Sequence, residues 1–179
     1  ELQSIFKTHN IQKFRAKQLI DYIYHRYIFD FEDMTQFPKD LRQWLGDNCV
    51  ISLPTLITES IAPDGKTRKI LVEMSDQSRV EAVLMEQHYG YSVCVSSQVG
   101  CAMGCVFCAS TQGGLYRDLT VAEIIGQVVI FGALTKEEIH SVVVMGAGEP
   151  LQNYDNVLQA LQLLHDPMIC NISYRKMTI

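Results

Sequence analysis

The stretch Ser92-Val-Cys-Val-Ser-Ser-Gln-Val-Gly-Cys-Ala-Met-Gly-Cys-Val-Phe-Cys-Ala-Ser-Thr-Gln-Gly-Gly-Leu-Tyr-Arg-Asp118 decides how the rest of the chain is read. A short β-rich run enters a glycine-containing loop in which Cys101, Cys105 and Cys108 stand in C-x3-C-x2-C spacing. Three thiolates on one tight loop can converge on one inorganic centre. A structural zinc site wants four closed ligands, usually from two cysteine pairs, and no second pair is present. A [4Fe–4S] cube also takes four cysteines as a rule. Three would leave one iron open to a reactive ligand.

Working outward, the bulk properties set bounds. A chain of 179 residues makes one or two domains and buries about 70% of its unfolded surface. No apolar run approaches the roughly 18 residues of a membrane span. The start, Glu1-Leu-Gln-Ser4, has no charged and apolar leader, so no signal peptide is expected. It also lacks an initiator Met, and Lys176-Met-Thr-Ile179 reads like the inside of a strand; the expectation is a piece of a longer chain. Six cysteines, three of them clustered and with no secretion signal, point to metal or redox use in the cytoplasm rather than to disulfides. A net charge of −5 argues against a generally basic nucleic-acid binder, though not against a local basic face.

Three segments follow. Residues 1–50 read as a helical accessory domain: Ala16, Leu19, Ile20, Ile23 and Tyr27 recur with helical spacing. Pro38 suits the first turn of a helix carrying Leu41, Trp44 and Leu45. Over residues 1–29, Lys7, Lys13, Arg15, Lys17 and Arg26 outnumber Glu1 and Asp21. That excess is either a solvated helix face or a surface for RNA phosphates. Residues 51–90 read as a β-strand and hairpin connector, with Asp64-Gly65 as a turn and two strands around Ser75–Ser78. Alternation puts Glu81 on one face with Val83 and Met85, and Val80, Ala82 and Leu84 on the other. Glu81 is then either a partly exposed side chain or a desolvated base.

Residues 91–179 alternate strand and helix. Thr120-Val-Ala-Glu123 is a capping box opening a helix with Val121, Ile124, Ile125 and Val128 on its apolar stripe. Ser141–Met145 is a buried parallel strand; Leu158, Leu161 and Leu164 mark another helix, and a strand begins at Lys176. The order predicts a parallel α/β layer, open or barrel-like. Gly146-Ala-Gly-Glu149 follows a strand, where backbone can approach a ligand closely. Cys94 is either a small half-buried side chain or a functional thiol. Arg117, Tyr116 and Gln112 could meet RNA or cap the loop. Cys49 and Cys170 are expected to be structural, and His88, His140 and His165 to be surface residues.

The C-x3-C-x2-C loop resembles the signature of radical S-adenosylmethionine (SAM) enzymes. The neighbouring Arg79-Val-Glu81, Cys94-Val-Ser-Ser-Gln-Val-Gly-Cys101, Leu119-Thr-Val-Ala-Glu-Ile-Ile-Gly-Gln127 and Met145-Gly-Ala-Gly-Glu-Pro-Leu151 resemble the RlmN/Cfr-type RNA adenine methyltransferases more narrowly. The likeness extends to Phe14-Arg-Ala-Lys-Gln-Leu19 in the helical domain.

The resemblance implies the first half of a partial (β/α)6 radical-SAM barrel, preceded by the helical accessory domain and the hairpin region. It implies a [4Fe–4S] cluster on Cys101, Cys105 and Cys108, whose open iron chelates SAM, and contacts of Gly148 and Glu149 with the SAM amino group. Ala147 stands where a Met is common. Glu81 becomes the proton acceptor. Cys94 becomes the thiol that resolves a covalent link between the adenine and a second, methyl-carrying cysteine without counterpart here. The implied reaction is methylation of adenine carbon 2 in 23S ribosomal RNA, and in transfer RNA, by a cytoplasmic monomer fed by flavodoxin or ferredoxin. The alternatives are Cfr-like methylation of carbon 8, another radical-SAM enzyme such as a glycyl-radical activase, and a zinc-stabilised RNA-binding module without activity.

Overall fold

The helical first part of the chain packs around an apolar cluster of its own. A computed structural model describes residues 2–179 and resolves them into two compact units. One runs to Ile51 and takes in Pro167–Ile169; the other comprises Ser52–Asp166 and Cys170–Ile179.

The first unit contains α1 (Leu2–Thr8), α2 (Phe14–Tyr24) and α3 (Lys39–Asn48). Phe6, Ala16, Leu19, Tyr22, Met34, Phe37, Leu41 and Leu45 form its core, with Ile23 and Trp44 packed against it. Tyr22 is the pivot: its ring meets Phe37 edge-on at 5.3 Å, and its hydroxyl accepts the Gln36 N–H at 2.9 Å. The buried phenol therefore keeps a polar partner. Pro38 sits at the N-cap of α3. The spacing rule overreached at Tyr27. That residue adopts φ 54° beyond the helix, where the Ile28 N–H reaches back to the Tyr22 carbonyl. This is a left-handed helix stop, and aromatic spacing alone does not reveal it.

In the second unit β1 (Thr55–Ile61), β2 (Thr67–Glu73), β3 (Arg79–Gln87) and β4 (Gly90–Cys94) form an antiparallel run. A short ribbon of β5 (Gln98–Gly100) and β6 (Leu115–Asp118) leads into α4 (Val121–Thr135). Then come β7 (Ile139–Val143), α5 (Tyr154–His165) and β8 (Met177–Thr178). Among the described residues one mixed sheet has the order β1-β2-β3-β4-β7-β8, with β4, β7 and β8 parallel. Helices α4 and α5 are thus the crossovers of βαβ connections. The boundary expected at residue 90 does not appear, because β3 and β4 pair directly. The hairpin strands and the parallel strands are one sheet.

Alternation decides which face is buried. Val80, Ala82 and Leu84 are buried as the pattern predicts, together with Ile70, Val72, Val93 and Val142; register puts these on a single face. Thr120 and Glu123 exchange both hydrogen bonds of the capping box. Beyond that cap, every residue from Ile124 to Gly132 is buried, so α4 is a core helix rather than an amphipathic one. Two details differ from the pattern. Helix α5 buries Val157, Ala160, Leu161 and Leu164 and turns Leu158 outward. Strand β7 ends at Val143, leaving Met145 exposed in the loop that follows.

Candidate functional site

The cysteine loop hangs from a neck. Strands β5 and β6 pair Gln98 with Asp118, Val99 with Arg117 and Gly100 with Leu115. The Cys101 N–H closes the loop onto the Gly114 carbonyl at 3.1 Å. Gly100 has φ +76°, and a Cβ there would strike the Gly114 carbonyl, so a side chain at residue 100 would open the neck. Within the loop the Cys108 N–H donates to the Cys105 carbonyl at 3.1 Å. That turn keeps their Cα atoms within about 7 Å. Cys101 is buried, Cys108 half-buried and Cys105 exposed. Val106 and Phe107 between them are almost wholly exposed, at 104% and 94%.

Among the described residues no group of three or more His, Cys, Asp or Glu side chains is gathered to hold a metal ion. The three thiols share one loop without their sulfurs being drawn together. The donor set still fits an iron–sulfur cluster: three soft thiols lie on a loop whose ends are hydrogen-bonded and whose middle faces solvent.

Beneath the loop lies a buried polar seam. Ser96, Ser97, Gln98, Gln127 and Asn153 are all buried, and the three amides are each satisfied. Gln127 accepts the Ser96 N–H at 2.8 Å and donates to the Ser96 carbonyl at 3.0 Å. Asn153 donates to the carbonyls of Ser97 and Leu119 at 2.7 and 2.8 Å. Ser96 Oγ takes the Ala147 N–H at 2.9 Å and donates to the Glu81 carbonyl at 2.7 Å. The two glycines of Gly146-Ala-Gly148 serve this seam. A Cβ on Gly146 would meet the Ser96 backbone, and one on Gly148 (φ +104°) would meet Ser97 and Gln98. What the glycines approach closely is the chain's own Ser96–Gln98 segment.

Glu149 is partly buried; its Oε1 accepts the Leu151 N–H at 3.0 Å, so the carboxylate is turned along its own loop.

Glu81 and Cys94 lie on the sheet face opposite the buried one. Val83 pairs with Cys94 across β3 and β4, so both point the same way, and Glu81 is two residues along from Val83. The Glu81 carboxylate is 56% exposed and meets Lys69 Nζ at 2.9 Å. Of its two readings the partly exposed side chain is the one found; it is not desolvated. Cys94 is half-buried, and burial pushes its thiol up, partly offset by the Met145 N–H that bonds to the sulfur. The other two lone cysteines are inert by the same physics: burial raises Cys49 and pushes Cys170 up to about 12.

Arg117 turns out to be a fastener. It binds Asp76 through Nε and Nη2 at 2.7 and 3.0 Å and Glu123 through Nη1 and Nη2, each at 2.9 Å. Further bonds reach the Asp118 carbonyl and Ser78 Oγ. It ties the turn before β3 and the start of α4 to the neck of the cysteine loop. The Arg117 hydrogen bonds hold Asp76 far below the usual carboxylate range. Burial pushes Glu123 up, but its bonds to Arg117 and Thr120 outweigh this and leave it lowered.

Both lowered carboxylates stabilise the fold fully above about pH 4 and lose that contribution as pH falls through their folded values. Arg117→Met is therefore expected to lower the melting temperature by roughly 5 °C at pH 7. The gap to the unaltered protein should close toward pH 2, as read by circular dichroism melts.

The seam residues were not singled out from sequence. A buried Gln inside the apolar run Ile124-Ile-Gly-Gln-Val-Val129 was the available signal, since a polar side chain in a core helix needs partners.

Comparison with known proteins agrees with this architecture. Residues 1–51 match the family described as the ribosomal RNA large subunit methyltransferase N-terminal domain, and residues 95–179 match the radical SAM superfamily. A protein of Symbiobacterium thermophilum named probable dual-specificity RNA methyltransferase RlmN is 49% identical over 169 residues, covering 93% of this chain and 46% of that protein. Relatives of the same name from Clostridium perfringens and Staphylococcus haemolyticus are each 43% identical over all of this chain, which spans 52% and 50% of them. The crystal structure of a radical SAM methyltransferase from Sphaerobacter thermophilus superposes with a TM-score of 0.91 at 34% identity, over 99% of this chain and 53% of that one. The chain spans about half the length of the curated relatives it matches. From its helical first unit through its cysteine loop, the chain is similar to the RlmN-type radical SAM proteins.

Proposed function

We propose that this chain carries the cluster-holding half of an RNA methyltransferase that places a methyl group on carbon 2 of an adenine in 23S ribosomal RNA, and in transfer RNA. The observation that carries the reading is the cysteine loop, held by its neck beside the Gly148-Glu149 loop, in a chain whose relatives are named dual-specificity RNA methyltransferases.

Cys101, Cys105 and Cys108 would hold a [4Fe–4S] cluster, and Glu149 would receive the amino group of SAM. When bound, the cluster and SAM together supply one-electron chemistry strong enough to activate a methyl group. The chain's own residues do the rest. Glu81, paired with Lys69 at 2.9 Å, accepts the proton from the adenine ring carbon. Cys94 shares that face; deprotonated, its sulfur attacks the sulfur of a methyl-carrying cysteine outside this sequence. The new sulfur–sulfur bond displaces the carbon that this cysteine had joined to the adenine; the carbon–sulfur electron pair passes to that carbon and the adenine ring, and a proton from solvent completes the methyl group. Because burial raises the Cys94 thiol, a base must remove its proton first.

Partner and place follow the same reading: a monomer in the cytoplasm, reduced by a flavodoxin or ferredoxin. Among the described residues no helix is long and apolar enough to cross a membrane.

Lys7, Lys13 and Lys17 are exposed and make no ion pair among the described residues. We assign them to RNA phosphates. Replacing all three with alanine is expected to reduce the salt dependence of RNA binding by a slope of about 2–3 without altering which nucleotide is methylated, measured by filter binding across salt concentrations.

The test of the whole reading is to react the holoenzyme with SAM bearing a labelled methyl group and 23S RNA, then digest to nucleosides. Labelled 2-methyladenosine is expected. Label on carbon 8 would overturn the position, and unlabelled RNA would overturn the function.

A further inference from the structure

Gln98 is fully buried, yet no catalytic step uses it. Its Oε1 accepts the Glu149 N–H at 2.8 Å, and its Nε2 donates to Asp118 Oδ1 at 2.8 Å. Its own N–H donates to the Ala147 carbonyl at 3.2 Å. One side chain therefore spans from the loop after β7 to the residue that closes the neck of the cysteine loop. The amide orientation is fixed by its partners: a backbone N–H can only donate and a carboxylate can only accept. Gly148 is what lets Gln98 lie there, since a Cβ on it would come 2.6 Å from Gln98 Cβ.

We infer that Gln98 is a positioning residue for SAM: it holds the Glu149 backbone at a set distance from the cysteine-loop neck, so that the amino group and the sulfonium of one ligand are met together. This rests on the reading of Glu149 as the SAM-amine contact. Nothing but a neutral carboxamide of this length satisfies both ends. A carboxylate would keep the Glu149 N–H but confront the Asp118 carboxylate, and an aliphatic chain would lose both bonds and leave the N–H buried without a partner.

The test measures SAM affinity by anaerobic isothermal titration, with iron content beside it, in the reconstituted holoenzyme. Gln98→Leu and Gln98→Glu are each expected to weaken SAM binding at least about tenfold, since small misplacements of a binding group are costly, while bound iron stays at the unaltered level. Adding Asp118→Asn to Gln98→Glu restores a donor opposite the new carboxylate and is expected to recover most of the affinity. Unchanged SAM affinity in both single variants would overturn the inference. So would loss of iron together with affinity, or absence of recovery in the double variant, since either would mark a packing role only. Glu149→Ala separates the two readings. If it leaves SAM affinity unchanged, the assignment of Glu149 fails; if it weakens SAM binding while the Gln98 variants do not, only the role of Gln98 fails.

Discussion

Replacing Cys105 with serine is expected to lower bound iron from about four atoms per chain to below one after anaerobic reconstitution, and to remove the brown, oxygen-sensitive absorbance. Donor number sets the effect. Cys101, Cys105 and Cys108 are the thiols of the loop, and a cube held by three protein sulfurs has none in reserve. Serine is similar in size but is a hard alkoxide donor that does not ionise at neutral pH. Cys105 suits the test because its side chain is exposed and sits in the open middle of the loop, so the substitution should leave the fold intact. Circular dichroism melts of the variant and the parent should then coincide within about 2 °C. Cys49→Ser serves as the control, because Cys49 belongs to the first unit and should leave iron untouched. Full iron loading in Cys105→Ser would show that the trio is not the ligand set.

The second large effect concerns the sheet face carrying Glu81 and Cys94. Glu81→Gln is expected to slow methyl transfer by about 10²–10⁴-fold, the usual contribution of a positioned general base, with RNA and SAM affinities unchanged. Cys94→Ala should fail at a different point. Methyl delivery and attachment to the adenine would proceed, and the link would not resolve. Protein should therefore remain covalently joined to RNA through denaturing electrophoresis. Because the two residues act at successive steps, Glu81→Gln should hold an earlier covalent adduct whose ring carbon still carries its hydrogen, whereas an uninvolved surface residue of β3 such as Gln87 should give no adduct when replaced with alanine. A Cys94→Ala protein that turns over freely would remove the thiol from the mechanism.

How much of this was legible in the sequence follows from the range of each interaction. The capping box of Thr120 and Glu123 and the alternation of Val80, Ala82 and Leu84 were readable because they depend on residues two or three apart. The family signature made the cysteine loop and the radical SAM fold legible as a resemblance, and the matches over residues 1–51 and 95–179 bear out that recognition. Arg117 could not be resolved between RNA and loop capping, because its partner Asp76 lies 41 residues earlier. Gln98 was opaque for the same reason: its partner Glu149 lies 51 residues later. Gly146 and Gly148 were read as making room for a ligand. What packs against them is set by how β4 and β7 pair, which no local pattern encodes.

Electron paramagnetic resonance of the reduced, reconstituted protein, recorded before and after adding SAM labelled with nitrogen-15 at its amino group, tests the central claim most directly. Three protein sulfurs leave one iron for that ligand, so the spectrum should change on SAM addition and show hyperfine coupling to the labelled nitrogen. A spectrum indifferent to SAM, or a colourless protein binding zinc, would contradict the account.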